Sequence, residues 1–264
     1  MSNDWKPMNL FSTHPCILGA IHLEPLPGAP DYSGNMGQVV ERAVEDALCL
    51  SESHFDGIIV ENYHDAPFFK SGLPPETISA ITRCALAIRA ACPGLTMGIN
   101  ALRNDALGAL GIAAVVDAQF IRVNVLTGAM VTDQGLIEGC AASLIRKRAQ
   151  LAPQVAIIAD VSVKHAEPLA PLDLAQSARD TAYRGRADAL IVSGSGTGMP
   201  VNMEELDLVR AACPDRPVFI GSGTTLENAK TIHADGFIVG TSLKKDGRIN
   251  LDRARALRQA LRSQ

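Results

Sequence analysis

Short apolar runs rich in Ile, Val and Phe recur along the chain, separated by longer stretches of helical character. Eight of these runs predict strands, at 16–21, 57–60, 95–99, 120–123, 155–159, 189–192, 218–220 and 237–239. Helices are predicted between them, among others at 38–53, 75–91, 136–151, 172–184 and 203–212. Strands alternating with helices imply βαβ units and a parallel sheet. The strand runs are apolar throughout rather than alternating, as a sheet covered on both faces requires. Eight units with no leftover domain favour an α/β fold of one closed (β/α)8 TIM barrel over an open doubly wound sheet. A single domain then spans 1–264, with 1–15 as an N-terminal extension.

An internal echo points the same way. Arg89-Ala90-Ala91-Cys92-Pro93 ends the helix before the third strand, and Arg210-Ala211-Ala212-Cys213-Pro214 ends the helix before the seventh. The two are four units apart, as a duplicated half-barrel would place them. Five residues prove little, because proline after a helix end is common for steric reasons.

Composition narrows the function classes. At 264 residues, 47% hydrophobic and 20% charged, the chain supplies a barrel-sized core. Its net charge of −4 comes from 28 acidic and 24 basic residues mixed along the chain. No basic stripe interleaved with aromatics is present, which argues against nucleic acid as a partner. No apolar run is long enough to span a bilayer, and Asp4, Lys6 and Pro7 interrupt the N-terminus where a signal peptide would be apolar. The six cysteines are scattered without a C-x-x-C pair, so they read as buried apolar residues in a reducing compartment. The expected location is the cytoplasm. A homo-oligomer is compatible with all of this.

In such barrels the chemistry sits at the C-terminal ends of the strands. The residues following the strands here are His22 and Glu24; Glu61, Asn62 and Asp65; Asn100, Arg103, Asn104 and Asp105; Arg122, Asn124 and Thr127; Asp160, Ser162, Lys164 and His165; and Ser193. Burying so many polar groups is costly unless they serve a ligand or one another. A structural ion-pair network is the plainer alternative.

Three glycine-rich turns follow the last three strands, at 193–198, 221–224 and 240–242. Glycine lets the backbone approach an anion, and exposed N–H groups attract negative charge. The turns after strands seven and eight are where barrel phosphate sites frequently form. The predicted phosphate contacts are Gly221, Ser222 and Gly223 with Gly240, Thr241 and Ser242, closed on a third side by Gly194 and Gly196. A short helical turn is expected to begin at Thr241. The alternative is that the glycines only permit tight turns. Lys244 and Lys245 read as a solvated pair.

If strand five stays extended, Asp160, Ser162 and Lys164 share one face. A carboxylate and an amine would then meet at the mouth as an acid/base pair, or Lys164 would form a Schiff base; a salt bridge is the simpler reading. His22, Glu61, Asp160 and His165 could together hold a divalent metal. They come from separate strands without fixed ligand spacing, so neither metal nor cofactor is predicted. H-x-H, H-E-x-x-H and G-x-S-x-G are absent, which disfavours those hydrolase classes.

With these residues in view, the sequence resembles the BtpA/SgcQ family. The matching stretches are Ile21-His22-Leu23-Glu24-Pro25-Leu26-Pro27-Gly28, Glu61-Asn62-Tyr63-His64-Asp65-Ala66-Pro67-Phe68, residues 100–105, Ile121-Arg122-Val123-Asn124, Thr132-Asp133-Gln134-Gly135, residues 160–165 and Gly240-Thr241-Ser242-Leu243-Lys244-Lys245-Asp246-Gly247. The resemblance implies a fold similar to the ribulose-phosphate-binding barrels, and it supplies no established reaction. The family name records a link to photosystem I biogenesis, which does not carry over to this chain. Two positions depart from the family: His64 stands where glycine is usual, and Met199 where a polar residue is common.

Two functions follow as expectations. The first is an enzyme acting on a small phosphorylated sugar or nucleotide-like substrate, an isomerase, lyase or glycosidic-bond hydrolase. Glu61, Asp160 and Lys164 are its acid/base candidates, and His22, Asn100, Arg103, Arg122, Asn124, His165 and Ser193 its substrate-binding candidates. The second is a non-catalytic assembly or stability factor using the barrel as a platform. The first needs a closed polar pocket, the second a large exposed apolar patch.

Overall fold

The structure, a computed structural model, describes residues 15–163, 165–171, 173–194 and 201–263. In chain order it runs β1 (Cys16–His22), α1 (Met36–Glu52), β2 (Gly57–Glu61), α2 (Pro75–Ala91), β3 (Thr96–Asn100), α3 (Ala106–Val115) and β4 (Phe120–Val123). Then come β5 (Ala129–Thr132), β6 (Gly135–Glu138), α4 (Ala141–Leu151), β7 (Ala156–Asp160), β8 (Ala166–Pro168) and α5 (Leu174–Arg179), which continues as a π-helical turn (Asp180–Arg184). The chain closes with β9 (Ala189–Val192), α6 (Met203–Ala212), β10 (Val218–Ile220), β11 (Gly236–Val239), β12 (Lys244–Lys245), β13 (Arg248–Ile249) and α7 (Leu251–Arg262).

Eight parallel strands close into a barrel in the order β1-β2-β3-β4-β7-β9-β10-β11. Each coincides with one of the eight predicted apolar runs. Two apolar layers hold it. Between strands and helices lies the larger, built on residues such as Ile17, Val60, Ile81, Ile99, Leu110 and Phe237. Inside the barrel lies the smaller, with Leu18, Ile59, Phe120, Ile158, Ile191 and Phe219. The two phenylalanines fill the interior because glycine stands beside each in the neighbouring strand: Gly98 pairs with Phe120 and Gly236 with Phe219. A Cβ on Gly98 would fall 2.0 Å from the Phe120 ring.

Gly98→Ala is therefore expected to cost about 1–3 kcal/mol through overpacking. Gly111→Ala, where a Cβ meets open space on α3, should instead stabilise by about 0.5–1 kcal/mol through helix propensity. Urea denaturation of both variants checks the contrast.

The sequence echo has a structural counterpart. Arg89 in the last turn of α2 donates to the Asp117 carbonyl ahead of β4, and Arg210 in the last turn of α6 donates to the His233 carbonyl ahead of β11. Cys92 and Cys213 cap the two helices with nearly the same backbone angles.

Two predicted helices are corrected. Residues 135–138 form β6, the second arm of a hairpin with β5, and the helix begins only at Ala141. Met130 and Ile137 from its two arms are buried with Val125 and Val163, which fixes 135–138 as a strand. With β8 the hairpin makes a three-stranded antiparallel sheet at the C-terminal end of the barrel. The helix predicted at 172–184 begins at Leu174 and ends in the π-helical turn. The link from β10 to β11 carries a turn at 226–231 in place of a regular helix. Among the described residues, no helix is long and apolar enough to cross a membrane.

Candidate functional site

Every barrel strand delivers its last residues to the same end, so the polar positions after the strands converge. His22, Glu61, Asn100, Arg122, Asn124, Asp160 and Ser193 all meet there. Arg122 is the hub. Its Nε and Nη2 donate to Asp160 Oδ2 and Oδ1 at 3.0 and 2.9 Å, a bidentate pair. Its Nη1 lies 3.4 Å from Glu61 Oε1, which also accepts from Asn100 Nδ2 at 3.0 Å. Asp160 further accepts from Asn124 Nδ2 at 2.9 Å and Ser193 Oγ at 3.4 Å. Burial works against the charge on Arg122, yet Asp160 and Glu61 outweigh it and hold its pKa above the usual arginine value. The guanidinium is a fixed cation.

Asp160 is thus held as an ion-pair acceptor, and its described partner is Arg122. The expected pairing with Lys164 lies outside the described residues, as do Gly196 and Met199. β7 ends at Asp160, so the extended run does not continue through Ser162. Ser162 instead lines a separate cavity beside the hairpin, with Asp133, Glu205, Ser193 and Gly194. Glu61 is placed differently. Its Oε2 faces His22 Nε2 at 3.8 Å, and the residue lines two cavities.

Those two cavities share Glu61, Tyr63 and Arg122, and so form two lobes of one mouth. The first, about 220 Å3, is lined by the turns after β10 and β11 with His22. Gly221 must lack a side chain, because a Cβ would fall 2.5 Å from Ser193 Oγ. Gly223 holds φ +73°, the left-handed region glycine occupies freely. Asn228 pins this turn, donating to the Gly223 carbonyl at 2.7 Å and accepting from the Thr225 amide at 2.8 Å.

The Gly221 amide donates to the Val192 carbonyl and is spent. Among the described residues, no acceptor pairs with the amides of Ser222, Gly223, Thr224, Gly240, Thr241 or Ser242. The buried hydroxyls of Ser222 and Thr224 likewise have no partner among the described residues. Buried polar groups are ordinarily paired, so the two orphaned hydroxyls call for a ligand oxygen, and the amides beside them can join in holding it.

One expected contact is corrected here. The Ser242 hydroxyl donates to the Thr224 carbonyl at 2.8 Å, so it ties the turns together and only its amide faces an anion. The helical turn does begin at Thr241, but it is a 3-10 turn of three residues. That is too short for a useful dipole, and its contribution is its amides.

The second lobe, about 420 Å3, is lined by Arg103, Asn100, Asn124 and His165 beside Phe68 and His64. Burial depresses the Arg103 pKa, opposed by Asp160 and Asp133. Burial also lowers the His64 pKa, with Lys244 adding to the effect. Lys244, expected in solvent, is half buried; burial holds its pKa below the usual lysine range against the pull of Asp46, Glu61 and Glu24. His165 is exposed at the rim, and Gly194 is buried outside both lobes.

Other polar residues at the strand ends serve the fold. Asn62 bridges Asp65 and the Leu102 backbone. Asn104 pairs with the Val125 backbone, and Asp105 caps α3. Glu24 turns to Arg42. Site residues that the sequence alone did not assign include Thr224, inside a glycine turn already singled out, Phe68, and Tyr63, which stacks on His22 with ring centroids 4.2 Å apart. Among the described residues, no three His, Cys, Asp or Glu side chains gather as a metal site.

The comparisons with known proteins agree with this architecture. Phosphoribosyl anthranilate isomerase from Thermus thermophilus has a TM-score of 0.56 at 15% identity, over 94% of this chain and 98% of that one. 3-Keto-L-gulonate-6-phosphate decarboxylase from Vibrio cholerae also has 0.56, at 16% identity, over 95% and 99%. At these identities the likeness shows the barrel alone. The photosystem I biogenesis protein BtpA of Synechocystis is 49% identical over 242 residues, covering 91% of this chain and 84% of that protein. The family model for BtpA matches residues 13–262. An end-to-end match at that level settles descent, and the chain belongs to the BtpA family.

Proposed function

We propose that the chain is an enzyme acting on a small phosphorylated sugar or nucleotide-like substrate. The observation that carries this reading is the first lobe. Unpaired amides and two orphaned hydroxyls surround a cavity whose wall is the buried Glu61 and Arg122. A phosphate seated on Gly223, Thr241 and Ser242 would place the sugar over Glu61. The names of the structural neighbours, a phosphoribosyl anthranilate isomerase and a 3-keto-L-gulonate-6-phosphate decarboxylase, fit a phosphorylated substrate.

Within this proposal the roles divide by hydrogen bonding. Glu61, with one oxygen toward His22, is the acid/base group. Asp160, occupied by Arg122, Asn124 and Ser193, positions the guanidinium, which steadies charge developing on a substrate oxygen. Lys164 remains a third acid/base candidate from its place four positions after Asp160. Isomerisation, aldol-type cleavage and glycosidic cleavage all use this equipment. The non-catalytic reading draws on the name of the Synechocystis relative, and it leaves the buried ionic array a structural part alone.

A thermal-shift screen tests the proposal. Ribose 5-phosphate or another sugar phosphate at about a hundred times its Kd should raise Tm by roughly 5–10 °C, since binding to the native state stabilises by RT ln(1 + [L]/Kd). Unphosphorylated sugars should leave Tm unchanged. A screen in which no phosphorylated compound shifts Tm would sink the reading.

A further inference from the structure

The second lobe is larger than the first and chemically unlike it, and a sugar phosphate alone leaves it unused. We infer that the substrate is two-ended: a planar, hydrogen-bond-donating ring joined through a sugar to the phosphate, as in a nucleoside 5′-monophosphate. This rests on the phosphate reading of the first lobe.

Three observations select a ring over a second anion. First, among the described residues the lobe is lined by no turn of unpaired glycine-rich amides, and its described arginines are already opposed by carboxylates. Arg122 is paired with Asp160 and Glu61, and Arg103 lies in the field of Asp160 and Asp133. Asp31 adds a further carboxylate at the edge.

Second, the unsatisfied atom here is an acceptor. Asn124 is 5% exposed, and among the described residues its buried Oδ1 has no partner. Its orientation is set by chemistry, because the carboxylate of Asp160 accepts the Nδ2 donor and leaves the oxygen on the other side. A lone buried acceptor repels phosphate or carboxylate oxygens and calls for an N–H or O–H donor.

Third, the rest of the described lining includes apolar and aromatic side chains. Phe68, Ala66 and Leu102 are among them, with the rings of Tyr63 and His64 set edge to face at 5.2 Å and 90°. Such walls take a planar ring, and the Arg103 guanidinium is suited to stack on one. With the phosphate in the first lobe and the ring in the second, the bond joining ring to sugar crosses the seam formed by Glu61, Tyr63 and Arg122. His64, a departure from the family pattern at the lobe wall, then acts on the choice of ring.

Isothermal titration of the intact protein with ribose 5-phosphate, adenosine 5′-monophosphate and uridine 5′-monophosphate tests this. The expected result is that at least one monophosphate binds ten or more times tighter than ribose 5-phosphate. Phe68→Ala should remove at least fivefold of that gain while changing ribose 5-phosphate affinity less than twofold, and Arg103→Ala should independently remove at least fivefold of it. Neither monophosphate exceeding ribose 5-phosphate, or a gain that survives in both variants, overturns the two-ended substrate and leaves the phosphate reading standing. If ribose 5-phosphate and both monophosphates fail to bind, the phosphate reading falls and this inference with it.

Discussion

Glu61→Gln is expected to lower kcat about a thousandfold while substrate affinity stays within a few-fold, in the range that general acid–base groups contribute. The amide keeps the size of the side chain, and its oxygen can still accept from Asn100 Nδ2 and face Arg122 Nη1. What it loses is the ability to take and return a proton toward the cavity that Glu61 lines. A fall in kcat with KM nearly unchanged marks an interaction made only in the transition state. Should Glu61→Gln retain near-normal kcat on a substrate found by the screen, the acid/base role goes to another residue, and the reading of Glu61 is wrong.

The second large effect is on stability. Asp160→Ala leaves the Arg122 guanidinium, in a residue 7% exposed, with only the longer contact to Glu61. Breaking one side of a buried ion pair costs about 3–5 kcal/mol, because the remaining charge is desolvated without compensation. Removing both charges together, as Arg122→Met with Asp160→Leu, should recover most of the loss, since apolar replacements of buried pairs are often near neutral. Urea melts of the single and double variants give the comparison. A single-variant loss below about 1 kcal/mol would mean that water or a rearranged neighbour screens Arg122.

The eight barrel strands were legible because each is a compact apolar run, and burial on both faces leaves no alternation to blur its edges. The hairpin was not, because Leu136 and Ile137 run on into the apolar spacing of α4. Only the packing of Ile137 on Met130, Val125 and Val163 shows that the segment is a strand. At the mouth, the rule that strand ends gather the chemistry located the right residues. It could not divide them. Asn62, Asn104, Asn100 and Asn124 look alike along the sequence, yet the first two satisfy loop backbone and the last two satisfy carboxylates. That division depends on partners 21 to 40 positions away in the chain. Lys244 was misread for a similar reason: its burial comes from the loop fold around it.

The glycine turns show the same boundary. Two of them at the ends of neighbouring strands favoured an anion site, but the sequence alone also allowed glycines that only permit tight turning. The distinction lies in where the hydrogen bonds go. Gly221 spends its amide on the barrel, while the amides from Ser222 to Thr224 and from Gly240 to Ser242 have no acceptor among the described residues.

The most direct measurement is calorimetric titration of ribose 5-phosphate into the wild-type protein and into Thr241→Asp. Thr241 is exposed at the rim of the first lobe, so the substitution adds a carboxylate to the cradle without disturbing the core. The account predicts wild-type binding that weakens at least thirtyfold in the variant, with ribose itself binding neither protein measurably. Equal affinity of the two proteins for ribose 5-phosphate would contradict it.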